Sequence, residues 1–225
     1  DEYSIFEENR AYLLERLERE KTEDKRIEQA FAYMHHRTEW ADAESNMIFL
    51  DYILEQTKGK EKLAAEEIKA LLYRSSCYRN LPGDYKKEAM WDAFAALKRQ
   101  KQVKNQDAYL RSLGYKILAS CYREKYSVLD ERAEKLQKKC DYFLVAKTDV
   151  KGQKTEKQLE IWEDAARSYR DRKEDPMEEK CYQQMELLFQ RMQKEGAEPD
   201  YKQYKWFAED CARCAGRQKQ FQNVL

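Results

Sequence analysis

Apolar residues along this chain recur at intervals of three and four, with charged residues filling the positions between. Ile161, Ala165 and Tyr169 form one such row, and Leu113, Ile117 and Tyr122 another. That spacing places one apolar stripe on each helix, and no stretch alternates with the period of two that marks a strand. The pattern predicts helices near 3–21, 24–36, 40–57, 64–80, 84–104, 107–124, 127–147, 154–172, 176–194 and 200–215, with another starting near 217. Gly59, Asn105, Gly152 and Gly196 fall between these segments, and Gly and Asn most easily take the left-handed conformation that ends a helix. A second set of breakers lies at Leu81-Pro82-Gly83-Asp84, Glu174-Asp175-Pro176 and Gly216.

The helices repeat as pairs. Cys77-Tyr78-Arg79 returns as Cys121-Tyr122-Arg123, and Ser168-Tyr169-Arg170 follows. Seven residues before each tyrosine stands a large apolar residue, and the column Ile27, Leu71, Tyr115, Trp162, Trp206 has spacings of 44, 44, 47 and 44. Units are expected near 24–59, 64–105, 107–152, 154–196 and 200–225, preceded by the helix at 3–21. One hairpin cannot bury both of its faces. Stacking on its neighbours completes the core, which implies an all-α solenoid of antiparallel helical hairpins.

Composition supports helix throughout. Six Gly and three Pro in 225 residues leave long stretches without a breaker. With 42% hydrophobic residues the chain can bury a core despite 38% charged residues. Lys and Arg number 43, as do Asp and Glu, so the net charge is zero and gives no general pull toward nucleic acid or an anionic membrane. No apolar run reaches the roughly 18 residues a membrane span needs. The acidic start, Asp1 to Glu8, lacks a signal-peptide core. These features predict a cytoplasmic protein with its six cysteines reduced. The sequence does not begin with Met, and apolar stripes at both ends (Tyr3, Phe6, Leu13, Leu14 and Leu17; Phe221, Val224 and Leu225) are expected to pack against further helices of a longer protein.

The unit around Trp162 resembles a tetratricopeptide repeat. Trp162, Ala165-Ala166 and Tyr169 match the opening of that motif, and Tyr182 and Met185 fall where its second helix packs back. Tyr115, Leu118, Ala119 and Tyr122 match in part, as do Ile27, Ala30 and Met34 with Ala43, Met47 and Leu50, and Gly83-Asp84-Tyr85 with Ala89. The resemblance implies a right-handed α-solenoid of about five units whose first helices line a concave, ligand-binding groove. The period here is longer than the roughly 34 residues of the standard motif, and HEAT-like solenoids with units of about 40–47 residues also fit it. Arg74-Ser75 and Glu209-Asp210 replace the small pair in two units, and Glu178 stands where a small residue is expected.

Catalytic motifs are absent from the sequence. It has no phosphate loop, no G-x-S-x-G and no H-E-x-x-H. Cys211-x-x-Cys214 has no second pair to complete a zinc site, and His35 and His36 are the only histidines. The two cysteines read as small residues on one helix face. The basic run Lys98 to Lys104 reads as a favourable charge at a helix C-terminus. No enzyme activity, cofactor or metal is expected.

In a groove of the implied kind, the residue after each repeat tyrosine points inward. That column reads His35, Arg79, Arg123, Arg170 and Cys214, with Lys69 and Lys116 on the inner side of the same helices. The column that holds an inward Asn in chaperone-binding relatives reads Ala32, Ser76, Ser120, Arg167 and Cys211, which argues against a chaperone tail. The expected function is a protein- or peptide-binding scaffold for an acidic or phosphorylated segment. The alternative is a ligand-sensing or self-associating regulatory module of a larger effector, such as a nucleotide-hydrolysing switch or a DNA-binding regulator.

Overall fold

The structure is a computed structural model that describes residues 11–34, 40–104, 106–126, 130–147, 149–199 and 201–222. Helix α1 covers 11–18. It is followed by α2 (Glu23–Tyr33), α3 (Trp40–Thr57), α4 (Ala64–Asn80), α5 (Lys86–Gln100) and α6 (Ala108–Lys125). Then come α7 (Glu131–Asp141), α8 (Thr155–Asp171), α9 (Asp175–Lys194) and α10 (Tyr201–Gln222). A 3-10 turn, Glu61–Leu63, leads into α4, and a π-helical segment, Tyr142–Lys147, follows α7. The described residues contain no strand, so the fold is all-α. None of their helices is long and apolar enough to cross a membrane.

Local chemistry sets the boundaries. Thr22 caps α2 by accepting from the Lys25 N–H, and Asp107 caps α6 by accepting from the Leu110 N–H at 3.0 Å. Gly59 and Gly196 both have φ of 72°, the left-handed geometry a helix C-terminus uses. Gly216 behaves otherwise. It sits inside α10, which runs unbroken from Tyr201 to Gln222 where the sequence suggests two helices. A single glycine in an exposed helix costs about 1 kcal/mol relative to Ala, too little to end a helix whose flanking residues favour one. The segment expected as one helix over 127–147 is regular only over Glu131–Asp141 before it widens into π geometry. Asn105, His35, His36, Tyr3, Phe6, Val224 and Leu225 lie outside the described residues.

The chain divides into two compact units, Asp1–Cys140 and Asp141–Leu225. In the first, each helix from α2 to α6 packs on the next in sequence, and α4 also meets α6. Helix α4 serves two cores. Ala70 and Cys77 join Leu17, Ile27, Leu50 and Ile53 on one side, while Ile68 and Leu72 join α5 and α6 on the other. Small residues set the approach of α5: Ala89, Ala93 and Ala96 are all fully buried. Gly114 does the same on α6, where an added Cβ would lie 3.0 Å from Leu97 Cδ2 and 3.3 Å from Leu72 Cδ2. In the second unit α8 packs on α9 and α9 on α10. Leu159, Ile161, Ala165 and Ala166 of α8 are buried, as are Cys181, Met185, Leu188 and Phe189 of α9. This order of neighbour contacts within each unit is compatible with a helical repeat.

Candidate functional site

The departure from an apolar small pair at Arg74-Ser75 has a structural explanation. Arg74 holds Asp92 through both ends of its fork, Nε to Oδ2 at 2.7 Å and one terminal nitrogen to Oδ1 at 2.9 Å. Its other terminal nitrogen donates to Asp51 Oδ1 at 2.7 Å. Three helices, α3, α4 and α5, are thereby tied to one guanidinium, and the two carboxylates push its pKa further up. Ser75 donates to the Ala89 carbonyl at 2.6 Å, which satisfies a buried hydroxyl.

Glu178 on α9 is the counterpart in the second unit. It is fully buried, although the repeat pattern calls for a small residue there. Tyr182, one turn on, donates its hydroxyl to Glu178 Oε1 at 2.9 Å. Arg217 on α10 donates to Glu178 Oε2, and its Nε donates to Asp175 Oδ1 at 3.0 Å. A guanidinium thus bridges two carboxylates and fastens α10 to the start of α9. Burial and the neighbouring carboxylate both push the Tyr182 hydroxyl pKa up.

Arg217 is also one wall of a cleft of about 430 Å³ between α8 and α10, with Glu178 in its floor. Helix α8 contributes Glu163, Arg167 and Arg170, spaced so that they share a face. Helix α10 contributes Trp206, Asp210, Arg213 and Arg217 at the same kind of spacing. Four guanidiniums therefore face three carboxylates. Asp210 serves two of them: Arg170 donates to its Oδ2 at 3.1 Å, and Arg213 to its Oδ1. Arg167 is paired with Glu163 on its own helix. The pairs of Arg167 and Arg213 lie within one helix, and the Arg213 side chain is 65% exposed. Such pairs contribute little, roughly 0–1 kcal/mol, so these two arginines exchange partners at small cost. Trp206, the last member of the large apolar column, is 55% exposed and lines the cleft.

The expected inward residues fall in both units. Arg79 on α4 is paired with Glu124 on α6 at 2.6 Å. That pair joins successive first helices of the repeat, and its acid follows Arg123 directly in sequence. Arg123 and Lys116 are half-buried on α6. The Lys69 ammonium lies over the Phe31 ring, 4.3 Å from its centroid, and 5.5 Å from that of Tyr73. Arg170 is the one member of the column that enters the cleft, and His35 lies outside the described residues. The column reading misses Arg167 as a ligand candidate, and it misses Arg213 and Arg217 altogether. Their signal was the spacing of charged residues along α8 and α10.

Five of the six cysteines are buried. Cys214 is buried and donates to the Asp175 carbonyl at 3.8 Å, while Cys211 is half-buried. Burial pushes the thiol pKa of Cys77 and Cys211 up to about 11 and that of Cys181 to about 12. A thiolate, the reactive form, is therefore disfavoured at each. Asp175, Glu178 and Cys214 bring three potential metal-ligand atoms within 4.8 Å of one another. The cation already between the two carboxylates is Arg217. Set against known proteins, the chain matches no family model, no curated protein and no solved structure.

Proposed function

We propose that the chain is a non-catalytic protein- or peptide-binding scaffold, built as a right-handed tetratricopeptide-like solenoid, and that it holds an acidic or phosphorylated segment of its partner in the arginine cleft of the second unit. The observation that carries this reading is the division of labour among the four guanidiniums. Arg170 and Arg217 are anchored by interhelical pairs with Asp210, Asp175 and Glu178. Arg167 and Arg213 are exposed and held only by acids of their own helices. An incoming dianion would replace Glu163 and Asp210 as the partner of these two. Guanidinium forks match phosphate and carboxylate oxygens and stay charged at any physiological pH. Each charge-assisted hydrogen bond contributes about 1.5–3 kcal/mol. The exposed Trp206 indole adds a flat apolar wall for the residue beside the anion.

The experiment is selection from a peptide array in which each sequence appears unmodified, with a phosphorylated residue and with Glu at that place. The wild-type protein is expected to retain phosphorylated or multiply acidic peptides, with affinity falling as salt rises. An Arg167→Gln, Arg213→Gln variant with unchanged circular dichroism should lose them. Selection that ignores charge, or that survives in the folded double variant, would show that the cleft does not hold the segment.

The alternative, a self-associating regulatory module, is favoured by a separate observation in the first unit, an outward face of α5 that carries a large exposed indole.

A further inference from the structure

Helix α5 has two very different sides. Ala89, Ala93, Ala96 and Leu97 bury one of them against α4 and α6. The other carries Lys87, Trp91, Phe94 and Lys98, which the helical period places in one stripe. Trp91 is 64% exposed, and Phe94 is exposed beside it. The Lys87 ammonium sits 5.1 Å above the Trp91 ring, and Glu88 borders the stripe. Two adjacent aromatic rings edged by lysines make the kind of protruding anchor that dominates binding energy where proteins meet.

The same unit holds a depression of complementary character, a groove of about 500 Å³ formed by α2, the start of α4 and the start of α6. Its apolar lining is Ile27, Phe31, Leu63, Ala65 and Leu110, and its rim carries Glu28, Glu66 and Asp107. Lys69, seated over Phe31, offsets one of these charges, and Asp24 is paired with Lys62. The rim stays acidic. Glu66 Oε2 is buried without a hydrogen-bond donor, a state that costs free energy until a donor arrives.

We infer that the Trp91 face of α5 in one copy of this chain docks into the acid-rimmed groove between α2, α4 and α6 of a second copy. The charge signs match: lysines flank the aromatic anchor, and carboxylates flank the apolar groove. An anchor and a receptor of this kind on one chain select that chain as its own partner. Both surfaces belong to one packed unit, so the contact is made between chains. Because the two surfaces differ, the contact is heterologous and leaves a free anchor and a free groove at the ends of every assembly that does not close into a ring. The lysine–carboxylate contacts make the association weaker as salt rises.

The experiment measures the mass of the full 225-residue chain in solution by light scattering and sedimentation, from low to high micromolar concentration. The wild type is expected to grow from the 27.1 kDa monomer toward larger species with concentration, and to revert at high salt. One variant, Trp91→Ala with Phe94→Ala, removes the anchor. A second, Glu28→Lys with Ala65→Trp, recharges the rim and fills the groove. All four positions are exposed, so both variants keep the fold. Each variant alone should remain at monomer mass at every concentration. Mixed, they should form a complex of two chains and nothing larger, since each supplies the surface the other lacks. Arg167→Gln with Arg213→Gln should assemble like the wild type, which separates this contact from the arginine cleft. A wild type that stays monomeric throughout, a single-surface variant that still assembles, or a mixture that stays monomeric would each overturn the inference.

Discussion

Arg74 and Arg213 are the same kind of side chain in opposite situations, and the contrast separates structural charge from charge that is free to work. Arg74, in the first unit, is 23% exposed and spends three nitrogens on two carboxylates from neighbouring helices. Arg213, in the second, is 65% exposed and reaches one carboxylate that Arg170 also uses. A half-buried guanidinium whose three nitrogens are all held by carboxylates of neighbouring helices can turn to a ligand only by breaking those pairs. An exposed guanidinium on a shared acid has donors to spare and loses little by changing partner. Arg217 lies between these extremes, since it saturates a buried carboxylate yet forms part of the cleft wall.

The comparison is sharpened most by removing the structural charges. Arg74→Ala leaves Asp92 partly buried and unpaired, and is expected to cost about 3–5 kcal/mol in urea-induced unfolding. Arg217→Ala should cost a similar amount, because Glu178 is fully buried and would keep only the Tyr182 hydroxyl. Arg213→Gln should change stability by less than about 1 kcal/mol while weakening ligand binding. Equal destabilisation by Arg74→Ala and Arg213→Gln would erase the distinction.

Packing is the next largest effect. Gly114→Val places branched carbon against Leu97 and Leu72 and should cost about 1–3 kcal/mol, read from the same unfolding curves. A cost below the error of the curves would show that α6 can move away from α4 and α5 freely. Trp162→Ala should cost more than Trp206→Ala, because Trp162 is half-buried and Trp206 is mostly exposed.

The buried thiols set a pH limit. Their folded pKa lies above the unfolded value of about 8.5, so the folded state holds these protons more tightly. Their contribution is fully present below pH 8.5 and is lost as pH rises toward about 12 for Cys181 and about 11 for Cys77. Cys181→Ala should therefore flatten the loss of stability between about pH 9 and 12, relative to wild type. An identical alkaline slope in the variant would show that Cys181 ionises as easily in the fold as outside it. The smallest effect is a gain. Gln100 is buried with neither end of its amide hydrogen-bonded, and Gln100→Leu should raise stability by about 1 kcal/mol.

Much of the helical framework was legible because it follows from local rules. Helices α3 and α4 begin and end where the apolar period and the flanking breakers place them. Gly216 misled because a glycine signals a break only when the chain takes a left-handed turn, as Gly59 and Gly196 do. The site was less legible. A column of equivalent positions finds Arg170 but not Arg213 or Arg217, since the cleft is made where α8 and α10 face one another about 40 residues apart in sequence. The departures at Arg74-Ser75 and Glu178 carried more information than the matches. Each places a polar group at a helix crossing, and each of those groups turned out to have partners on another turn or helix. Pairing of Arg79 with Glu124 was not readable from either helix alone.

Arg167 and Arg213 of the cleft can turn to a ligand at small cost, and Arg74 cannot. This difference is tested most directly by following the Nε–Hε signals of individual arginines by nitrogen NMR while adding a phosphorylated peptide selected on the array. Saturable shifts are expected at Arg167, Arg170, Arg213 and Arg217, with Arg74 unmoved. Shifts spread evenly over all arginines, or none at these four, would contradict that difference.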